Sequence, residues 1–132
     1  MTPYKLKIVA PDKLFFDGET EQIIVRTTEG NVGILANHTS YVANLPAGPL
    51  KIKIDGKFKT AAISGGVIKV SKDLVTILAV SVEWGEDIDV QRAKRAEEKA
   101  RETLKANQSG KEFENAKFEL KRAVNRLNVA AK

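Results

Sequence analysis

The stretch Trp84-Gly85-Glu86-Asp87-Ile88 divides a chain of 132 residues into two parts with different sequence patterns. Before it, short runs of alternating apolar and polar residues are separated by turn residues, whereas after it the sequence is rich in alanine and in charged residues. A chain of this length can build one large core but not two. We therefore expect a main domain over residues 1–86 and an appended domain over residues 87–132.

The first part of the chain predicts an antiparallel β-sandwich. Its clearest signal is an alternating run at 50–54, followed by Asp55-Gly56 and a second run at 57–59. Asp-Gly is a favoured two-residue hairpin turn because both positions must reach positive φ. Lys72-Asp73 predicts another hairpin between 67–70 and 74–82. Turns at this spacing indicate a sandwich or flattened barrel, since a parallel sheet would need helices between its strands.

The second part predicts two antiparallel helices, which makes the fold class α+β. Asp87 or Asp89 can cap the first helix, which runs to about Ala106. Ser109, with Glu112 three residues later, predicts a capping box for the second helix. The apolar stripe of the first helix is mostly alanine, so we expect the hairpin to be held weakly.

Composition narrows the classes of function. The chain has no cysteine, which excludes disulfides and thiolate metal sites, and no apolar run approaches the length of a membrane helix. Residues 87–132 carry twelve basic and eight acidic residues, against ten and nine in residues 1–86. A basic helical part suggests an anionic partner, which could be nucleic acid, a nucleotide or an acidic protein surface.

No pattern in the chain predicts an enzyme site. His38 is the only histidine, and its two interpretations are a loop or contact residue and a catalytic group. It lies in the stretch 29–40, which departs from the strand rhythm. This stretch is either a loop joining strands or a docking loop at the end of the sandwich, where loops collect. Its glycines do not make a phosphate loop, because no helix pattern follows them.

Four charged residues of the second part are expected to meet when the two helices fold back on each other. Arg122 and Arg126 share one face of the second helix, and Asp89 and Arg92 lie at the start of the first, with Glu83 just before them. One interpretation is a solvated face of salt bridges. The other is a ligand site, in which the guanidinium groups hold a polyphosphate and a carboxylate accepts from an adenine amino group or a ribose hydroxyl.

The chain resembles the ε subunits of bacterial F-type ATP synthases along its whole length. The most specific match is Ile88-Asp89-Val90-Gln91-Arg92-Ala93, which fits the family's I-D-x-x-R-A pattern. Ser64-Gly65-Gly66 in the first part and Asn125-Arg126-Leu127 in the second also match in order and spacing. The resemblance implies a non-catalytic subunit of the central stalk, peripheral on the cytoplasmic face of the membrane and attached to it only through the complex.

The resemblance also implies partners for each part. The sandwich would dock on the γ subunit and the ring of c subunits, through a contact loop containing Asn31, Gly33 and His38. The helical hairpin would extend into the catalytic β subunits, where Arg122 and Arg126 meet an acidic segment, and would inhibit ATP hydrolysis.

A regulatory ATP site is the third implication of the resemblance, because some Bacillus-type members bind ATP in the folded hairpin. A Mg²⁺ ion can accompany the phosphates, and no metal site made by the protein is expected. Carried over residue by residue, the ATP site would use seven residues: Glu83, Ile88, Asp89, Arg92, Ala93, Arg122 and Arg126. Lys99 departs from an arginine of ATP-binding relatives, and Asn31, Ala36-Asn37 and Ser40 depart from the family pattern in the contact loop.

The alternative function is a nucleic-acid-binding module that uses the basic hairpin. Acidic residues are interleaved with the basic ones throughout both helices, and few aromatic residues there could stack on bases. We therefore expect no nucleic-acid partner.

Overall fold

The computed structural model describes residues 2–131, which form eight strands, a short 3₁₀ helix and two α-helices. The strands are β1 Tyr4–Ala10, β2 Lys13–Thr20, β3 Gln22–Thr27, β4 Gly30–Leu35, β5 Tyr41–Ile54, β6 Lys57–Val70, β7 Leu74–Ala79 and β8 Val82–Trp84. The 3₁₀ helix spans Gly85–Asp87, and the α-helices are α1 Val90–Ala106 and α2 Lys111–Ala130. The chain separates into two compact units, a sheet unit Met1–Trp84 and a helical unit Gly85–Lys132.

The sheet unit is built on the long hairpin of β5 and β6. The two strands pair from Ile54↔Lys57 to Tyr41↔Val70, and Asp55 and Gly56 between them have φ of 51° and 79°. Both turn residues therefore have the positive φ that the Asp-Gly signal predicts. The strands follow the order β2-β1-β7-β6-β5-β3-β4, with β8 paired to β6.

Alternation of apolar residues buries one face of these strands. In β1 the buried residues are Tyr4, Leu6, Ile8 and Ala10, with Lys5 and Lys7 exposed between them. The same rule buries Ile23 and Val25 in β3 and Val75, Ile77 and Ala79 in β7. The buried faces form one continuous apolar core. The predicted β-sandwich followed by two helices is confirmed.

One strand pair is parallel, which the sequence pattern did not predict. β1 and β7 pair in parallel from Lys5↔Leu74 to Val9↔Leu78. A parallel pair needs a long crossover connection. Strands β2 to β6 supply that connection here, so no helix is required between β1 and β7.

The stretch 29–40 is mostly a strand and not a loop. Asn31 and Gly33 lie in β4, where they pair with Arg26 and Ile24 of β3. Only the residues after Leu35, including His38, form the connection to β5. The prediction of a loop was wrong for Asn31 and Gly33, because β4 continues the ladder of β3 after a tight turn and Gly30 takes the positive φ of 121° near that turn.

A hydrogen bond joins β1 to β4, which are far apart in the order of strands. The Tyr4 hydroxyl donates to the backbone carbonyl of Ile34 at 2.6 Å, and both residues are buried. Burial raises the pKa of Tyr4 to about 12, against a smaller lowering by a backbone hydrogen bond of Ile23. The neutral phenol is thus the form that the fold requires.

Replacing Tyr4→Phe should lower the free energy of unfolding by about 1–3 kcal/mol, because the Ile34 carbonyl loses its buried partner. Urea unfolding followed by the fluorescence of Trp84, the only tryptophan, measures this in the unit that contains Tyr4. Tyr41→Phe is the matched control, since it keeps the Tyr4 hydrogen bond, and it should have a smaller effect.

Tyr4→Phe also tests how the free energy of unfolding depends on pH. In the unfolded chain Tyr4 ionises near its ordinary pKa of 10.0, and in the folded chain near 12. Its contribution to stability is therefore complete below pH 10 and is lost as the pH rises towards 12. Over this interval the wild type should lose more stability than Tyr4→Phe. Equal losses in both proteins would contradict the buried neutral phenol.

Candidate functional site

The start of α1 is fixed by Asp89. Its Oδ1 accepts a hydrogen bond from the backbone N–H of Arg92 at 3.0 Å, and its backbone carbonyl accepts from Ala93 at 3.0 Å. Asp89 has extended backbone angles, as an N-cap residue should. The alternative cap, Asp87, lies in the 3₁₀ helix instead. The I-D-x-x-R-A pattern thus has a local structural reason, since its Asp caps the helix that carries its Arg and Ala.

The start of α2 differs from the prediction. The N-cap residue is Gly110, with φ of 90°, and it makes no side-chain cap hydrogen bond. The predicted capping box of Ser109 and Glu112 was wrong, because the helix begins at Lys111 and so places Ser109 one residue outside the cap position. Glycine is required there because its positive φ is strained for other residues.

Within the helical unit, α1 and α2 pack against each other and run antiparallel. The late part of α1, with Lys99 and Thr103, faces the early part of α2, with Glu112 and Asn115, across a groove of about 590 Å³. At the opposite end of the helical hairpin, α2 contacts the 3₁₀ helix Gly85–Asp87. Arg122 and Arg126 are therefore carried towards the end of the hairpin where Asp89 and Arg92 lie.

The seven predicted nucleotide-site residues have different environments. Ile88 and Ala93 are buried, Asp89 and Arg92 are exposed, and Arg126 is half-buried. Arg122 makes an ion pair with Glu119 on its own helix, at 3.2 Å. Glu83 belongs to the sheet unit, where it pairs with Ala62 in the ladder of β6 and β8. The other six belong to the helical unit.

Some basic residues of the two helices form ion pairs with acidic residues of their own helix. Arg101 pairs with Glu97 at 3.2 Å, and Lys117 lies 3.9 Å from Glu114. Exposed pairs of this kind contribute little to stability. In each pair a basic and an acidic residue lie about one turn apart on the same helix.

The groove between the helices was not predicted from the sequence. The residues that line it include Ala96, Ala100 and Ala116, together with Lys99 and Glu119. The signal that could have found it is the alanine stripe of α1, since facing alanines leave space between two helices. Lys99, noted in the sequence only as a departure from the family pattern, lies on this groove.

The predicted contact-loop residues are on the surface of the sheet unit or close to it. Asn31 and Gly33 are exposed on β4, and the Asn31 side chain accepts a long hydrogen bond from Arg26 at 3.5 Å. His38 is half-buried beside Tyr41, with ring centroids 5.9 Å apart, and its Nδ1 lies 2.8 Å from the Thr39 carbonyl oxygen. His38 is therefore held by local contacts and, among residues 2–131, it belongs to no metal cluster.

Comparison with known proteins accounts for both units. Residues 3–85 match the family described as ATP synthase, Delta/Epsilon chain, beta-sandwich domain. Residues 86–131 match the family described as ATP synthase, Delta/Epsilon chain, long alpha-helix domain. The chain belongs to the ATP synthase delta/epsilon chain family. The resemblance found in the sequence is confirmed.

Relatives match the chain over nearly its full length. An ATP synthase epsilon chain of Ruminococcus albus is 49% identical over 100% of this chain and 99% of its own. One of Bacillus velezensis is 41% identical over 98% of each. This chain is thus similar to epsilon chains of ATP synthase along nearly its whole length.

Solved structures show the same fold. A chain in the cryo-EM structure of Euglena gracilis mitochondrial ATP synthase, OSCP/F1/c-ring in rotational state 1, has a TM-score of 0.81 and 28% identity. The similarity covers 98% of this chain and 81% of that one. Among the described residues, no helix is long and apolar enough to cross a membrane.

Replacing Asp89→Ala should destabilise α1 by about 1 kcal/mol, because a backbone N–H of the first turn loses its acceptor. Thermal unfolding followed by the helix signal in circular dichroism measures the effect. Asp89→Asn should behave like the wild type, since asparagine caps as well as aspartate, and Asp87→Ala should change little. If Asp89→Asn were as destabilised as Asp89→Ala, the carboxylate would act through its charge and not as a cap.

Proposed function

We propose that this chain is the regulatory subunit of the rotor stalk of an F-type ATP synthase, on the cytoplasmic face of the membrane. The sheet unit docks on the γ subunit and the c ring, and the helical unit restrains ATP hydrolysis by the catalytic β subunits. The observation that carries this proposal is the match of two family domains, in order, to the two units of the chain. The similar Euglena chain comes from a structure of the OSCP/F1/c-ring assembly of that ATP synthase.

The buried surface of the helical hairpin supports an opening motion. The buried residues of α1 are Ala93 and Ala100, and those of α2 include Ala116 and Ala123. Burying a methyl-sized group stabilises by about 0.8 kcal/mol, against about 1.5–3 kcal/mol for a large aliphatic side chain. The four alanines together contribute about 3 kcal/mol, and the buried Val129 of α2 adds about 1.5–3 kcal/mol. A closed hairpin held this weakly can open when a partner binds the extended form.

ATP is the ligand that we propose to hold the hairpin closed, with Mg²⁺ on its phosphates. A ligand that binds only one state stabilises it by about 2.7 kcal/mol at a concentration 100 times its Kd. This is of the same order as the contribution of these buried side chains, so an ordinary affinity is enough to shift the equilibrium.

The chemistry of the helical unit fits a nucleotide. Arg92, Arg122 and Arg126 offer guanidinium groups to phosphates, and Asp89 offers a carboxylate oxygen to an amino or hydroxyl group of the nucleoside. Ile88 and Ala93 are apolar and buried close to the capped start of α1, so they position that turn. Glu83 is assigned to the same site by the family resemblance alone.

Titrating the full chain with ATP in a calorimeter should show saturable binding, and Arg126→Ala should abolish it or weaken it at least about tenfold, which is 1.4 kcal/mol. Arg101→Ala is the matched control, because Arg101 is an exposed arginine of α1 that pairs with Glu97 and is outside the site. It should bind ATP as the wild type does. If no heat of binding appeared at millimolar ATP, ATP would not be the ligand, and the helical unit would be a purely mechanical inhibitor.

Adding the chain to a core complex that lacks it should lower the rate of ATP hydrolysis. A chain ending before residue 88 should still join the complex through its sheet unit but should not inhibit. The double variant Arg122→Ala, Arg126→Ala should inhibit less than Arg101→Ala, because the proposed contact with an acidic segment of the β subunit is lost. An unchanged hydrolysis rate with the full chain bound would reject the inhibitory role.

A further inference from the structure

Glu119 holds one of the arginines of the proposed nucleotide site. Its Oε1 lies 3.2 Å from Nη1 of Arg122, and this ion pair is also a hydrogen bond in which the guanidinium donates. Glu119, Arg122 and Arg126 follow one another at spacings of three and four residues, so they share one face of α2. Glu119 also lines the groove between the helices, together with Ala96 and Lys99 of α1. The face that carries the two arginines is therefore the face that α2 turns towards α1.

The ion pair can form whether the hairpin is closed or open. Both partners belong to α2 and lie three residues apart, so the pair needs no contact with α1. The Arg122 side chain is 31% exposed, against 56% for Arg101 and 47% for Lys117 in their own ion pairs. A less exposed charge is screened less by water and salt. The carboxylate of Glu119 therefore acts on a guanidinium that is partly shielded from solvent.

A phosphate group and the Glu119 carboxylate compete for the same atoms of Arg122. A guanidinium binds phosphate best through two parallel N–H groups, and the carboxylate already accepts from one of the two terminal nitrogens. The carboxylate also offsets the positive charge at that place, and it repels a phosphate that comes next to it. A polyphosphate can therefore use the whole guanidinium of Arg122 only after Glu119 has released it.

We propose that Glu119 is a positioning residue that competes with the phosphates of the ligand for Arg122, and so sets the ATP concentration at which the hairpin closes. This inference rests on the proposed function, which makes ATP the ligand of the closed hairpin. An exposed ion pair at this spacing changes an equilibrium constant by about two- to fivefold. The ligand has to overcome this factor, so Glu119 raises the half-saturating concentration of ATP by the same factor.

Two other roles for Glu119 predict different results. A carboxylate that contacts the ligand itself, through the Mg²⁺ on its phosphates, would strengthen binding, so its removal would weaken binding. A carboxylate that only repels the phosphates through space would act equally with and without the guanidinium of Arg122. Competition requires that removal of the carboxylate strengthens binding and that this gain depends on Arg122.

Titration of the full chain with ATP and Mg²⁺ in a calorimeter separates these roles. Glu119→Gln removes the charge but keeps the size and helix propensity of the side chain, and it should bind ATP about two- to fivefold more tightly than the wild type. Glu114→Gln is the matched control, because it makes the same change of charge on α2, in the ion pair with Lys117 and outside the site. It should bind ATP as the wild type does. Equal or weaker binding by Glu119→Gln would overturn the proposal.

A second comparison tests whether Glu119 acts through Arg122. Adding Glu119→Gln to Arg122→Ala should leave the affinity for ATP unchanged, because no guanidinium remains for the carboxylate to hold. A gain of the same size in both backgrounds would overturn the proposal, since Glu119 would then repel the phosphates directly. If neither the wild type nor Glu119→Gln bound ATP, the proposed ligand would fall and this inference with it. If the wild type bound ATP and Glu119→Gln bound it equally well, only this inference would be lost.

Discussion

The register of the β5–β6 hairpin is the constraint on which the sheet unit depends. Asp55 and Gly56 close the turn in a left-handed conformation, and the pairing then continues to Tyr41↔Val70. Strands β7 and β8 pair with β6, and β3 pairs with β5, so each takes its register from this hairpin. A shift of one residue would turn Leu50, Ile52 and Ile68 out of the core. The same register decides which residues face outward.

The helical unit is held together by a different and weaker principle. Its buried positions are mostly alanine, and the groove at Ala96, Ala100 and Ala116 shows that the two helices leave space between them. Alanine supports helix formation well but contributes little when it is buried. A hairpin with stable helices and a weak interface can change its packing without unfolding its helices. This is the property that the proposed regulatory role of the helical unit requires.

Much of the fold was predictable from the sequence because it is determined by residues that are neighbours along the chain. The Asp55-Gly56 turn, the alternation in β1 and β7, and the cap at Asp89 are all properties of neighbouring residues. The predictions that were wrong also have physical reasons. The stretch 29–40 contains two glycines and no clean alternation, yet β3 provides a partner and makes most of it a strand. Ser109 has the chemistry of a cap, but Gly110 takes the cap position because the turn before α2 requires positive φ.

The sequence by itself determined the two-part organisation and the family, because specific motifs such as Ile88-Asp89-Val90-Gln91-Arg92-Ala93 are readable without coordinates. Only the tertiary structure decided the parallel pairing of β1 with β7, the hydrogen bond from Tyr4 to Ile34 and the groove beside Lys99. Each of these joins residues that are distant in sequence or lie on separate strands or helices. Such contacts follow from strand order and helix packing, which no local pattern encodes.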